Sequence, residues 1–214
     1  MPSLPRLQRR HARRTRPRRG RRAAAAAALA AAAAAGLSAC SAGATAQTQA
    51  VGNGQGYVSA GNGVTVFPGG SGPVAPPVSG STLTGGKLSL AAYRGHVVVL
   101  NFWGSWCAPC RAEAPALAAL ARRFQPAGVR FVGVDIRDNA AAARAFLHDF
   151  GITYPSFSDP GDMIALAFRS TVPPAGIPTT LVVGRSGRIG ARIVGQASQA
   201  GLAGIIQRAA AKTP

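Results

Sequence analysis

The stretch from residue 97 to residue 111 reads VVVLNFWGSWCAPCR, and it predicts the centre of the fold. Its continuous apolar run, residues 97–102, is typical of a strand that is buried on both faces of a sheet. Residues 109–124 have helical composition, with large apolar side chains recurring at helical spacing. The sequence therefore predicts a buried strand that leads into a helix, with two cysteines at the junction.

The place of Cys107 and Cys110 at this junction has a chemical consequence. Only a thiolate is a good nucleophile, and a free thiol has a pKa of about 8.5. A helix N-terminus presents unpaired N–H groups and a partial positive charge, which stabilise a thiolate on Cys107. Two residues further on, Cys110 can reach Cys107 across the first turn, where Pro109 is well tolerated. The spacing predicts a redox pair in which Cys107 attacks and Cys110 resolves the mixed disulfide.

Strand and helix patterns alternate along the rest of a domain predicted to span residues 81–214. A hairpin with a Gly-Gly turn is predicted at residues 82–90. The further predicted strands are 129–135, 179–183 and 188–194, and the further predicted helices are 140–150, 163–168 and 198–212, the last capped by Ser198. This order predicts an α/β fold with a mixed central sheet, helices on both faces and an N-terminal β-hairpin extension.

Residues 1–39 have the organisation of a secretory signal peptide. Ten arginines fall between Arg6 and Arg22, and a run of 13 apolar residues follows at positions 23–35. That run is shorter than the ~20 residues that span a bilayer. An Arg-Arg pair before the run permits twin-arginine as well as general secretory export. We therefore expect an exported protein, and the route stays open.

Residues 37–40, Leu-Ser-Ala-Cys, resemble the lipobox of bacterial lipoproteins. This resemblance implies that Cys40 carries a diacylglyceryl group and becomes the mature N-terminus. The alternative is ordinary cleavage near residues 44–46, which leaves no lipid. Residues 40–80 are rich in Gly, Ala, Ser, Thr, Gln and Pro, so we expect a flexible linker between a lipid anchor and the domain. The alternative is that part of this segment forms an extra edge strand or hairpin on the domain.

The net charge of +18 does not predict nucleic-acid binding. Much of it belongs to the predicted signal peptide. Beyond Cys40 there remain 14 basic and 6 acidic residues, and no nucleic-acid-binding motif accompanies them. A moderately basic domain can still attract acidic partners or anionic lipid headgroups.

Residues 102–111, FWGSWCAPCR, resemble the active site of the thioredoxin superfamily. With Glu113 and Pro115 the pattern W-C-x-P-C-R-x-E-x-P is similar to its TlpA/ResA/DsbE branch. The resemblance covers residues 81–214. It implies a thioredoxin-like fold and a membrane-tethered thiol–disulfide oxidoreductase at the extracytoplasmic face of a bacterial cell membrane.

A second segment, Gly-Ile-Pro-Thr-Thr at residues 176–180, matches the same superfamily independently. The resemblance implies that Pro178 is cis and faces the cysteines, and that the backbone of its neighbour Ile177 pairs with substrate. A proline at the first residue of a strand is also structurally permitted without any function. Trp103 and Trp106 are expected to wall the site, with a simple core position as the alternative for Trp103.

Asn101 stands where thioredoxins usually bury an acid on the central strand. An amide cannot exchange a proton, so Glu113, three residues after Cys110, is the expected replacement that tunes the thiols. The alternative for Glu113 is a solvated helix residue that pairs with a nearby arginine.

The resemblance implies a reductase of exported proteins, for example of apocytochrome c thiols before haem attachment, supplied with electrons by a CcdA/DsbD-like membrane partner. A disulfide-forming oxidant and a copper-binding thioredoxin-like module are the alternatives. Copper carriers of the SCO type need C-x-x-x-C and a later histidine, and peroxidases of the peroxiredoxin class lack W-C-x-x-C. No cofactor and no metal are expected.

Overall fold

The structure is a computed structural model that describes residues 58–60, 63–173 and 176–211. Its strands are, in chain order, β1 Val58–Ala60, β2 Val64–Val66, β3 Ser79–Ser81, β4 Lys87–Ser89, β5 Val98–Trp103, β6 Arg130–Ile136, β7 Ser156–Asp159, β8 Thr179–Val183 and β9 Ile189–Val194. Its helices are α1 Ala108–Phe124, α2 Ala140–Asp149, α3 Met163–Ala167 and α4 Gln199–Ala211. No helix within these ranges is both long and apolar enough to cross a bilayer.

Seven strands form one mixed sheet in the order β1-β2-β9-β8-β5-β6-β7. β5, β6 and β7 run parallel, whereas β8 is antiparallel to β5, and β9, β2 and β1 continue antiparallel. The C-terminal ends of β5, β6 and β7 therefore lie at the same end of the sheet as the start of β8. We call this the α1 end, and the opposite end, where β8 ends and β9 begins, the distal end.

The apolar residues of β5 bury the two faces of this sheet alternately. Leu100 and Phe102 are fully buried on the face that α3 and the β3–β4 hairpin cover. Val99 is fully buried on the other face, beneath α1 and α4. Burying one such side chain contributes about 1.5–3 kcal/mol, so this strand stabilises both layers at once.

The predicted mixed α/β architecture is confirmed. The turn at residues 184–187 closes β8 and β9 into the predicted hairpin, and the N–H of Gly201 bonds the Ser198 hydroxyl that caps α4. β7 was not predicted, because Phe157 is the only large apolar residue in Ser-Phe-Ser-Asp. Its strand conformation comes from parallel pairing with β6.

The predicted start of the domain at residue 81 is too late. β2 pairs with β9, and residues 72–75 follow the edge of the same sheet, with the Ala75 N–H donating to Gly187 O. Gly72 is required there, because a Cβ would lie 1.9 Å from Ile189 O. Backbone hydrogen bonds hold this segment, so it needs few large apolar side chains. Residues 40–57 and 61–62 of the predicted linker lie outside the described residues.

The predicted N-terminal hairpin is present, but its first strand comes earlier in the chain. β3 pairs with β4 across a loop at residues 82–86. The Thr82 hydroxyl accepts a hydrogen bond from the Gly86 N–H, and Gly85 has a φ of +94°. A side chain at that φ would be strained, so the loop requires glycine at position 85. The two glycines therefore form the loop as expected, whereas residues 82–84, predicted as the first strand, belong to the loop.

Candidate active site

Cys107 and Cys110 form a disulfide at the first turn of α1. Cys107 is the extended residue that precedes the helix, and the Cys110 N–H points at its Sγ at 3.3 Å. That N–H would stabilise a thiolate on Cys107 in the reduced state. Cys110 is the more buried of the two, at 1 % exposure against 5 %, so a substrate reaches Cys107 first.

The two tryptophans beside the disulfide have different surroundings. Trp103 is buried and stacks on Phe146 of α2, with ring centroids 4.3 Å apart. Trp106 is 54 % exposed, and its indole N–H donates to Arg137 O at 3.2 Å. Its ring lies over Gly104, where a Cβ would come within 2.7 Å of Nε1. Trp103 thus belongs to the core, and Trp106 is an exposed apolar surface next to Cys107.

The Ile177–Pro178 peptide bond is cis, which confirms the expected geometry. Pro178 immediately precedes β8 at the α1 end, and its carbonyl accepts the Gly195 N–H at 2.8 Å. Ile177 packs against the apolar cluster that contains both cysteines. Among the described residues, the backbone N–H and C=O of Ile177 have no backbone partner.

Glu113, three residues after Cys110 on α1, is buried at 1 % exposure and forms no ion pair with an arginine of the described part of the chain. Its Oε1 accepts a hydrogen bond from Asn101 Nδ2, and its Oε2 accepts one from the Ala197 N–H, both at 2.8 Å. Burial raises the pKa of Glu113 to about 7, although these two hydrogen bonds oppose the shift. The alternative of a solvated Glu113 is wrong, and a carboxyl group that titrates near neutral pH lies beneath the cysteines.

Arg111, next to Cys110, turns away from the sulfurs. Its guanidinium lies over the rings of Phe150 and Phe146, at 5.1 and 5.9 Å from their centroids. It also donates to Ser105 O at 3.4 Å. A cation pointing inward would stabilise a thiolate, and this geometry does not supply one.

A pair of acids at the end of β6 is the part of the site that sequence reasoning missed. Asp135 is 2 % exposed, and its Oδ1 has no partner among the residues described. Burial, followed by the carboxyl groups of Asp138 and Asp159, raises the pKa of Asp135 to about 8. Asp138 accepts the Ser105 N–H at 2.6 Å, one residue before Trp106. The available signal was an acid at the end of a strand, which is equally typical of a simple cap.

Within the described ranges, no three His, Cys, Asp or Glu side chains are grouped so that they could hold a metal ion. Of the predicted site residues, Cys107 and Cys110 form the disulfide at the start of α1, Glu113 follows on the same helix, and Ile177 next to Pro178 packs against the cluster that contains both cysteines. Cys40 lies outside the described residues.

Comparisons with known proteins agree with this geometry. The family model described as the AhpC/TSA family matches residues 72–192. The thiol-disulfide oxidoreductase ResA of Geobacillus thermodenitrificans (strain NG80-2) is 35% identical over 124 residues, which cover 58% of this chain and 69% of that protein. The thiol:disulfide interchange protein HelX of Rhodobacter capsulatus is 39% identical over 102 residues, 47% of this chain and 53% of HelX.

Solved structures of thiol–disulfide exchange proteins are also similar to this chain. A DsbF homologue from Corynebacterium diphtheriae superposes with a TM-score of 0.65 and 33% identity, covering 69% of this chain and 94% of that one. A secreted thiol-disulfide isomerase from Corynebacterium glutamicum superposes with a TM-score of 0.67 and 29% identity, covering 71% and 94%. With its C-x-x-C disulfide at the start of α1, the chain belongs to the AhpC/TSA family of thioredoxin-fold proteins, among the ResA-like thiol–disulfide oxidoreductases.

Proposed function

We propose that this protein is a membrane-tethered protein-disulfide reductase that acts on exported proteins. One observation carries the proposal: the Cys107–Cys110 pair begins α1, and a buried Glu113 carboxyl group follows three residues after Cys110 on the same helix. The pair carries out the exchange, and the carboxyl group favours the reducing direction.

The exchange consists of two displacements. In the reduced enzyme, the Cys107 thiolate attacks a substrate disulfide, forms a mixed disulfide and expels one substrate sulfur as a thiolate, which takes up a proton. Cys110, deprotonated, then attacks Cys107 Sγ and releases the second substrate thiol. Two electrons have passed to the substrate, and the Cys107–Cys110 disulfide remains. A membrane dithiol partner of the CcdA/DsbD kind would reduce it again.

Glu113 is proposed as the proton acceptor for the resolving cysteine. A carboxyl group with a pKa of about 7 can accept and return a proton at neutral pH. Its negative charge, once formed, opposes a thiolate nearby and raises the thiol pKa. Strongly oxidising sites depend on a very stable thiolate, so this arrangement favours a reductase.

Ile177 and Pro178 are proposed to hold the substrate. The unpaired backbone groups of Ile177 can accept an extended peptide as an added strand beside the cysteines. The exposed indole of Trp106 offers apolar contact next to the same sulfur. Such a site recognises backbone more than sequence, which suits exported thiol proteins, of which apocytochrome c is the substrate class we propose.

Trapping tests the exchange. In the full chain, Cys110→Ser should accumulate mixed disulfides between Cys107 and exported proteins, because the resolving sulfur is missing. The Cys107→Ser/Cys110→Ser double variant is the matched control and should trap nothing. Full reductase activity in Cys107→Ser alone would overturn the assignment. Tight copper binding by the reduced pair, measured by titration, would instead favour a carrier.

The direction is tested by the equilibrium potential of the Cys107–Cys110 couple in glutathione or dithiothreitol buffers. A reductase should lie nearer to thioredoxin, at about −270 mV, than to the oxidant DsbA, at about −120 mV. A value close to that of DsbA would make the protein an oxidant of exported proteins and leave the exchange chemistry unchanged.

The proposed location is the extracytoplasmic face of the cell membrane, with the lipid on Cys40. Mass spectrometry of the mature N-terminus should find a diacylglyceryl-modified Cys40. A soluble product that begins near Gln47 would show that the lipid anchor is absent.

A further inference from the structure

An arginine-lined cavity lies at the distal end of the sheet, far from the disulfide along β8 and β9. Its volume is about 460 Å³, within the range of roughly 300–1,000 Å³ that small-molecule sites occupy. It opens between the start of β9, the end of β2 and the last turns of α4. Val66, Ile205 and Ala209 give it apolar walls.

Three arginines, Arg185, Arg188 and Arg208, also line this cavity, and none of its lining residues is Asp or Glu. Within the part of the chain that the structure describes, none of the three forms a salt bridge. Arg185 and Arg188 each donate one hydrogen bond, to Gly95 O and Gly72 O, and Arg185 Nε is buried without a partner. Each of these hydrogen bonds uses one of the five donors of a guanidinium group, so Arg185 and Arg188 keep further N–H groups without a partner among the described residues.

A fourth arginine, Arg94, lies beside the β8–β9 turn but lines a different cavity. The Arg94 guanidinium lies against Gly187 of the β8–β9 turn, where a Cβ would come within 3.3 Å of Nη1. Unpaired arginines around an apolar cavity are complementary to a ligand that has both an anionic oxygen group and a hydrocarbon part. Guanidinium groups match phosphate oxygens with two parallel hydrogen bonds, which makes phosphate the fitting head.

The path of the chain indicates where such a ligand would come from. β1 begins at Val58, which pairs with Val66, so the chain enters the sheet at the distal end beside the cavity. Cys40 is 18 residues earlier, which corresponds to at most about 60 Å of extended chain. A chain anchored upstream can therefore bring this end of the domain to the membrane surface.

We propose that the arginine-lined cavity binds an anionic phospholipid of the membrane, with the phosphate on the three guanidinium groups and hydrocarbon against Val66, Ile205 and Ala209. Docking in this way directs the α1 end, with Cys107, away from the bilayer and toward exported proteins. The orientation rests on the proposed membrane attachment, whereas the lipid site itself does not depend on it.

Position-specific photocrosslinking in the full chain tests the site. Ser186, which is exposed and lines the cavity, is replaced by p-benzoylphenylalanine, and Leu166, 53 % exposed on α3, is the control position. The proteins are bound to vesicles of phosphatidylcholine and phosphatidylglycerol and irradiated, and lipid adducts are measured by mass spectrometry. The arginines near the N-terminus are present in both proteins, so any binding through them is the same.

Position 186 should give at least about tenfold more phosphatidylglycerol adduct than position 166. Each arginine near an anionic surface contributes about a fivefold gain in binding, so Arg185→Gln/Arg188→Gln/Arg208→Gln should lower the adduct at position 186 by up to about a hundredfold. The charge-matched control, Arg122→Gln/Arg123→Gln/Arg169→Gln, changes three arginines that do not line this cavity and should retain it within about twofold.

Equal adducts at the two positions, equal losses in the two triple variants, or equal yields with phosphatidylcholine and phosphatidylglycerol would each overturn the lipid site. Thiol–disulfide exchange on a soluble substrate, measured in the same variants, separates this result from the proposed function, because the distal arginines take no part in the exchange.

Discussion

The two ends of the sheet carry opposite chemistry on one scaffold. Five of the six acidic residues of the chain lie at the α1 end, either on α1 or in and just after the last residues of β6 and β7: Glu113, Asp135, Asp138, Asp159 and Asp162. The distal end has a cavity lined by three arginines and by no acid. The C-terminal ends of parallel strands meet at one end of the sheet, so the α1 end collects carboxyl groups whose pKa burial can raise. The distal arginines are proposed instead to bind an external anion.

Burial is what separates the two ends chemically. Glu113 and Asp135 are almost wholly removed from water, and burial is the main cause that raises the pKa of each into the neutral range. At the distal end, Arg188 and Arg208 are exposed and Arg185 is half-buried. Proton transfer and thiol chemistry therefore belong to the α1 end, and the proposed electrostatic docking belongs to the distal end.

The largest expected effect comes from removing the attacking sulfur. Cys107→Ser should lower the rate of insulin disulfide reduction by at least about a thousandfold, because a hydroxyl cannot form the mixed disulfide. Arg185→Gln/Arg188→Gln/Arg208→Gln, at the distal end, should retain the wild-type rate within about twofold. Comparable losses of the reduction rate in both variants would show that the exchange does not depend on the α1 end alone.

The next effect comes from the carboxyl group beneath the cysteines. Glu113→Gln should slow exchange at pH 7 by about a hundredfold, because the proton acceptor is lost. The inflection near pH 7 in the wild-type pH–rate profile should also disappear. The exposed neighbour Arg111, changed to Gln, is the control and should keep the inflection. An inflection that persists in Glu113→Gln would assign it to another group.

Asp135 should make the stability of the α1 end depend on pH. Its pKa is raised in the folded state, so the protonated form stabilises the fold at low pH, and this contribution is lost as the pH rises from about 4 to about 8. Asp135→Asn should therefore gain at least about 2 kcal/mol in unfolding free energy relative to wild type between pH 5 and pH 8. Denaturant titrations measure this difference. The exposed Asp149→Asn is the control, and a parallel response in both variants would contradict the assignment.

The smallest expected effect comes from the cap of α4. The Ser198 hydroxyl accepts the Gly201 N–H at 3.2 Å, so Ser198→Ala should lower the unfolding free energy by about 1 kcal/mol. The control Ser186→Ala, in the turn at the distal end, removes an exposed hydroxyl for which no hydrogen bond is found among the described residues. It should change the unfolding free energy by less than about 0.5 kcal/mol. Equal effects at the two positions would show that the cap contributes nothing specific.

Local patterns predicted much of this molecule. The apolar run of β5, the C-x-x-C at its junction with α1, the β8–β9 turn and the Ser198 cap are each encoded within a few neighbouring residues, and all four are present. Short-range signals of this kind depend on backbone geometry and side-chain period, which the sequence shows directly. The cis bond before Pro178 was predicted through resemblance, because local propensity alone favours trans.

Only the tertiary structure decided the rest. Residues 63–75 join the domain through backbone bonds to β9 and its turn, more than 100 residues away. The two hydrogen-bond donors to Glu113, Asn101 and the Ala197 N–H, come from β5 and from a segment about 84 residues further along the chain. Asp135 is buried because β6 lies between two neighbouring strands. The arginine-lined cavity likewise requires β2, β9 and α4 together. By itself the sequence determined which residues can do thiol chemistry, because C-x-x-C is a local pattern. Long-range packing determined which charged side chains are buried, as Glu113 and Asp135 are, and which remain exposed to solvent.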